Sequence, residues 1–192
     1  YGILEIIREI PVDALLMPDF EHSTDLYKKF MEALQKSSIR VLRAVNGLTL
    51  KFTPPLSLKV LSPPDPGPFR EIDNNSCVVK INHGPASFLF TGDIFFEAEQ
   101  WLCENIKKEL KSDFLKVAHH GSKTSSSQAF LKMVNPEVAV ISCGIKNKFG
   151  FPHETALRRL EKWCSHLYRT DLQGDIEVTL RNQRMHVKTQ YS

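Results

Sequence analysis

Apolar positions along the chain change period several times, and each change marks an element. Ile3, Leu4, Ile6, Ile7 and Ile10 recur at helical spacing until Pro11 ends the pattern. Val12 to Met17 reads as a buried strand closed by Pro18. From Ser23 the chain is amphipathic again, with Leu26, Phe30, Ala33 and Leu34 forming a stripe and Ser23 or Thr24 as N-cap. A strand at Ile39 to Arg43 follows, then a hairpin predicted through Asn46-Gly47. Six of the 11 prolines fall between Pro54 and Pro68, which predicts a long surface loop without regular structure.

Beyond that loop the order becomes regular. Cys77 to Ile81 and Ser87 to Phe90 predict two strands joined by a turn around Gly84-Pro85. Helices are predicted near Phe96 to Leu110, Ser126 to Val134 and Glu154 to Cys164, alternating with strands at Phe114 to Val117, Val138 to Ser142 and Leu167 to Arg169. Ile176 to Leu180 and Met185 to Lys188 are expected to complete the sheet. Alternation of this kind predicts an α/β fold with a mixed sheet, and 192 residues suit one domain spanning residues 1–192.

Composition narrows the class without naming a function. A chain 42% hydrophobic and 24% charged has the balance of a globular protein, not a disordered one. Its longest apolar runs are strand-length, far short of the roughly 20 residues that cross a bilayer. A net charge of +3 permits an anionic substrate but does not by itself announce a nucleic-acid binder. The four cysteines (Cys77, Cys103, Cys143, Cys164) lack the pairing of a zinc ribbon or thioredoxin motif and read as buried free thiols.

Candidate chemistry sits where apolar strands end. Phe88-Leu89-Phe90 runs into Thr91-Gly92-Asp93, and Phe114 to Val117 runs into Ala118-His119-His120-Gly121-Ser122. Val138 to Ser142 leads to Cys143-Gly144, a loop carrying Lys146, Asn147 and Lys148, and then Phe151-Pro152-His153. Ligands of α/β sheets gather beyond the carboxyl ends of the strands. Here those ends deliver one carboxylate and three imidazoles, each near a glycine that lets the backbone turn sharply. Taken singly, Gly-Asp is usually a turn, a His-His pair is usually solvated, and His153 can simply open a helix. Jointly they make an N/O donor set suited to zinc, manganese or iron. His22, His83, His166 and His186 read as surface or structural residues at helix ends, a turn and a terminal strand.

At these residues the sequence resembles the metallo-β-lactamase superfamily, and within it the soluble C-terminal domain of the ComEC competence proteins. The resemblance runs nearly continuously from Asn74 to Thr179. It includes Asn74 to Lys80, Phe88 to Asp93, the run Leu115-Lys116-Val117-Ala118-His119-His120-Gly121-Ser122-Lys123-Thr124-Ser125, Asn135 to Ser142 and Asn147 to His153. It implies an αββα sandwich with mixed sheets. It implies that Asp93 bridges two divalent metal ions, zinc or manganese, and that His119, His120 or both are ligands. His153 takes the place of a late catalytic histidine that ligates a metal or positions a phosphate. Ser122, Lys123 and Thr124, with Lys146 or Lys148 opposite, are the implied phosphate contacts. Asn74 and Asn75 fall where many superfamily members carry another ligand histidine, Phe151 replaces a common histidine, and Ala118 a frequent proline.

The superfamily's His-x-His-x-Asp-His motif occurs nowhere in this chain. Tyr1 to Leu4 resembles the helix that follows that motif, so its ligands are expected upstream of Tyr1, leaving an incomplete centre here that is inactive by itself. The resemblance further implies a DNA-uptake nuclease acting on DNA, single-stranded by preference. As partner it implies the membrane channel portion of the same parent, on the outer face of a bacterial cytoplasmic membrane, with no small organic cofactor. The alternatives are a free-standing hydrolase of another ester or lactone, and a non-catalytic module.

Overall fold

A computed structural model describes residues 2–19, 21–67 and 69–191. The chain divides into two compact units, residues 1–44 and 45–192. In the first, helix α1 (Gly2–Glu9), strand β1 (Ala14–Met17), helix α2 (Asp25–Gln35) and strand β2 (Arg40–Arg43) follow in order. The two strands pair in parallel with Ala14 opposite Arg40, and α2 is the crossover between them. Thr24 caps α2 as the sequence predicts, its hydroxyl oxygen accepting the Tyr27 N–H at 3.3 Å.

The second unit is built on a seven-stranded sheet. Its strands are β3 (Thr49–Lys51), β4 (Leu56–Ser62), β5 (Val78–His83), β6 (Ala86–Phe90), β7 (Phe114–Lys116), β8 (Val138–Ile141) and β9 (His166–Arg169), which lie side by side in chain order. Pairing is antiparallel from β3 to β6 and parallel from β6 to β9. The switch falls where helices enter the sequence: α3 (Phe96–Asn105) with α4 (Lys107–Leu110), then α5 (Gln128–Val134), then α6 (Glu154–Trp163) supply the parallel crossovers.

Register explains the two faces. Leu89 pairs with Leu115, Leu115 with Ala139 and Ala139 with Leu167, so these side chains share one face. There they pack with Ala98, Leu102, Phe130, Leu131, Val134 and Leu160 of the helices into the main core. The alternate residues Phe88, Phe114, Val138, Val140 and Tyr168 face the other way. They meet Ile176, Val178, Met185 and Val187 of a hairpin formed by β10 (Ile176–Arg181) and β11 (Arg184–Thr189). Helices, sheet and hairpin are therefore three layers of an α/β unit.

Four expectations change. The Asn46-Gly47 turn exists, but β2 and β3 belong to different sheets, so it does not join them as a hairpin. It instead starts the β3–β4 pairing, with the Gly47 N–H donating to Val60 O at 3.0 Å. The proline-rich stretch contains β4, because its prolines flank the seven residues from Leu56 to Ser62 and leave every ladder N–H in place. β10 and β11 form their own two-stranded sheet and do not complete the large one. The helix expected over 96–110 breaks at Ile106, whose φ of −132° is not helical. His83 and His166 also lie in strands, at the end of β5 and the start of β9. No helix among the described residues is long and apolar enough to cross a membrane.

Candidate metal centre

The loops after β6, β7 and β8 meet at the carboxyl edge of the parallel strands. Thr91 is buried and donates its hydroxyl to Lys116 O at 2.8 Å, joining the first loop to β7. The His119 N–H then donates to Gly92 O at 3.1 Å, joining the second loop to the first. Gly92 has a φ of +56°, and a Cβ there would stand 2.7 Å from Ser76 Cβ. The close approach lets Ser76 Oγ accept the Asp93 N–H at 3.2 Å. Glycine is thus required beside the carboxylate on both counts.

His119 and His120 themselves adopt left-handed backbone angles, with φ of 46° and 54°. Such angles are uncommon for residues with a Cβ and persist only where surroundings enforce them. The enforcement comes from the following loop. Ser125 donates to Ile94 O at 2.6 Å, and the fully buried Glu99 accepts the backbone N–H groups of Ser126 and Ser127. Arg159 donates to the carbonyls of Lys123, Ser125 and Ser126. Burial holds the Glu99 carboxyl above its usual range, against the opposing pull of these donors and of Arg159.

The imidazoles then take distinct positions. His120 Nδ1 lies 2.6 Å from Ser142 O. A carbonyl only accepts, so Nδ1 carries the proton and neutral His120 keeps its lone pair on Nε2. That Nε2 faces Asp93 Oδ1 at 3.7 Å. Two acceptors facing one another need a proton or a cation between them. Donors about 2.0–2.2 Å from a shared zinc stand roughly 3–4 Å apart, so the spacing suits an ion. His119 stacks on Phe95 with ring centroids 5.0 Å apart, and its buried Nδ1 has no hydrogen-bond partner. A buried ring nitrogen without a partner is uncommon and calls for an explanation of its own.

Among the described residues, however, no three His, Cys, Asp or Glu side chains group closely enough to hold a metal. The donor set fits part of a metal centre. Asn74 adds no ligand of its own, since its side chain accepts from the Phe95 N–H at 2.7 Å and donates to Glu97 at 3.0 Å. The Asn75 side-chain amide donates to the carbonyls of Phe69 and Glu71 at 3.0 and 3.2 Å.

The remaining expected residues lie on the loops after β7 and β8. His153 Nδ1 accepts the Lys123 N–H at 3.0 Å, which leaves Nε2 to carry the proton. Thr124 and Lys123 are exposed; Ser122 is buried, its hydroxyl 2.9 Å from that of Thr124. Lys146 and Lys148 are exposed on the loop after β8. A cleft of about 300 Å³ is lined by His120, Ser142, Cys143, Gly144, Asn147, Phe149 and Phe151.

Sequence reasoning missed three participants. Lys116 interrupts an apolar strand; burial lowers its pKa while the nearby Asp93 charge opposes that shift. Cys143 is a half-buried free thiol pushed up to about 11 by burial and by its hydrogen bond to Asp171. It is therefore a neutral hydrogen-bond donor at ordinary pH rather than a nucleophile. Phe151 stands between His119, His120 and His153 with centroids 5.4, 6.1 and 5.1 Å away. A lysine in an apolar run was a visible signal. Phe151 was visible only as the replacement of a common histidine, and its ring contacts carry no sequence signal.

An α/β sheet whose neighbouring strand ends bring a carboxylate and an imidazole within 3.7 Å of one another defines a class, α/β proteins with a candidate metal site at the sheet's carboxyl edge. The family model of the metallo-β-lactamase superfamily matches residues 14–145, and the chain belongs to that superfamily. It is 31% identical over 178 residues to ComE operon protein 3 of Bacillus subtilis, covering 93% of this chain and 23% of that protein. It is 36% identical over 62% of its length to Recombination protein 2 of Haemophilus influenzae, and 39% over 60% to Competence protein ComA of Neisseria gonorrhoeae. These matches span 15% and 17% of the two relatives. The chain thus corresponds to less than a quarter of each of these relatives.

Proposed function

We propose that this chain is a metal-dependent hydrolase domain that cleaves DNA phosphodiester bonds as part of a DNA-uptake protein. The observation that carries the reading is His120 Nε2 set 3.7 Å from Asp93 Oδ1, with the opposite ring nitrogen held 2.6 Å from the Ser142 carbonyl. Superfamily membership and relatives named for competence support it. The family match crosses the boundary between the two units at Ala44 and Val45, which supports reading both as parts of one domain.

In this reading Asp93, His120 and His119 are the residues that would hold divalent ions, zinc or manganese, together with ligands these residues do not supply. Bound ions lower the pKa of water to near neutral and offset charge on a phosphoryl oxygen. The chain's own groups bind and orient. His153 offers its Nε2 proton to a phosphate oxygen or to the departing oxygen. Lys123, Lys146 and the Thr124 hydroxyl meet non-bridging oxygens, with Ser122 fixing the Thr124 side chain from below. Phe95 and Phe151 pack against the histidine rings and limit the water that reaches them. The DNA, the membrane portion and the outer face of a bacterial cytoplasmic membrane belong to the same proposal.

A second reading, a non-catalytic module, is favoured by one observation, the lack of a three-donor group among the described residues. One assay separates the two. The full-length gene product is incubated with single- and double-stranded DNA and manganese or zinc, beside its Asp93→Ala variant. Cleavage that the variant abolishes supports the hydrolase. Absence of cleavage on both substrates with both metals leaves the binding module.

A further inference from the structure

The loop after β8 carries two strongly exposed apolar side chains, Ile145 (72% exposed) and Phe149 (61%). Exposed rings on mobile loops are common, but this loop is tied. The Asn147 side chain donates to Gly144 O at 2.9 Å and to Phe151 O at 2.7 Å, and accepts from the N–H groups of Phe149 and Phe151 at 3.2 and 3.0 Å. One amide therefore spans the loop and fixes the ring at its tip.

The ring also stands in a series. Phe149 stacks on Phe151 with centroids 5.5 Å apart and planes 19° from parallel. Phe151 stacks in turn on His120 at 6.1 Å and 25°. Near-parallel rings thus lead from an exposed tip to the imidazole that faces Asp93. The Lys148 ammonium lies over the Phe149 ring, 5.0 Å from its centroid, on a long flexible side chain that a stacking base would displace toward its own phosphate, and Lys146 is exposed on the same loop. An aromatic platform flanked by cations is how proteins hold unpaired nucleotides, because every base has a stacking face and carries a phosphate beside it. The cleft of about 300 Å³ bounded by Phe149, Phe151 and His120 opens directly onto this platform.

We infer that Phe149 is a base-stacking subsite. It holds the nucleobase next to the phosphodiester presented to Asp93 and His120, and Lys148 and Lys146 meet that nucleotide's phosphates. A base can reach Phe149 only when it is out of a duplex, so the subsite selects unpaired strands. This inference deepens the proposed hydrolase reading and rests on it for the position of the reacting phosphate.

The test is binding without turnover. Fluorescence anisotropy in EDTA follows the full chain with a labelled oligothymidylate of about a dozen nucleotides, its abasic counterpart and a duplex. Wild type is expected to bind the oligothymidylate about tenfold more tightly than the abasic strand, the usual scale of one stacked base. Phe149→Ala is expected to lose that preference and Phe149→Tyr to keep it, with thermal melting as the check that both fold. The abasic comparison on wild type needs no variant at all. Equal affinity of wild type for the two strands, or an unchanged preference in Phe149→Ala, overturns the subsite. Hydrolysis of bis(p-nitrophenyl) phosphate by the metal-supplied full-length protein reports the centre without a base. Hydrolysis with no Phe149-dependent binding sinks the subsite alone. Phe149-dependent binding with no hydrolysis leaves the subsite and sinks the hydrolase.

Discussion

The two loops that border the candidate centre are held in opposite ways. The loop from His119 to Ser127 is locked from inside, by a fully buried carboxylate, an arginine reaching three carbonyls and a serine bonded to Ile94 O. The loop from Gly144 to Phe151 is held from its own middle by one asparagine, and Ile145 and Phe149 are exposed on it. The first arrangement spends buried polar groups on backbone angles that histidine resists, as positioning ligands requires. The second leaves a fixed surface open to whatever approaches the cleft.

This contrast can be broken at several points. Glu99→Ala carries the largest expected effect, because it strands the backbone N–H groups of Ser126 and Ser127 and empties a fully buried position. The expected loss is about 3 kcal/mol or more of unfolding free energy, read by urea denaturation. A loss under about 1 kcal/mol would mean the loop is not held this way.

Gly121→Ala comes next. Gly121 has a φ of +80°, and a Cβ there would stand 2.6 Å from Pro152 Cβ. Strain of this kind costs about 1–3 kcal/mol. It should also disturb the Gly121 carbonyl, which accepts the His153 N–H at 2.9 Å, so shifted His153 imidazole resonances are the second readout.

Asn147→Ala should cost about 1 kcal/mol or less, since its bonds are partly exposed. Its effect is expected in hydrogen exchange instead, with faster exchange at the Phe149 and Phe151 amides and none at Ser126 and Ser127. Faster exchange in both loops would show that the two are one unit.

The smallest effect concerns pH. Pairing with Arg169, at 2.6 Å, holds the Asp171 carboxyl below its usual value of 3.8. A depressed folded pKa contributes stability that is present above the unfolded value and lost as pH falls through the folded one. Urea midpoints measured downward from about pH 5 should therefore drop less steeply in Asp171→Asn than in wild type. Parallel curves would remove the pairing from the account.

Much of the fold was legible because β5 to β9 and their helices obey period-two and helical patterns whose apolar faces are the ones buried, as the Leu89, Leu115 and Ala139 register demonstrates. β4 was hidden because prolines outside a strand and prolines inside one look alike in composition. The Asn46-Gly47 turn was legible as a turn, but its partner strand is set by tertiary pairing across residues 47–60. Asp93 and His120 were legible as strand-end chemistry. The facing of Nε2 to Oδ1 was not, since it depends on the Ser142 carbonyl fixing a ring 22 residues away. Lys116 and Cys143 take their shifted pKa values from burial, which depends on place rather than pattern.

In the proposed hydrolase Asp93 and His120 share a cation. The most direct measurement of that sharing is calorimetric titration of manganese or zinc into the metal-free full-length gene product and its Asp93→Asn and His120→Ala variants. Saturable binding in the wild type, weakened at least about tenfold by each substitution, is the predicted result. Equal affinity in all three proteins, or no binding in any, would contradict it.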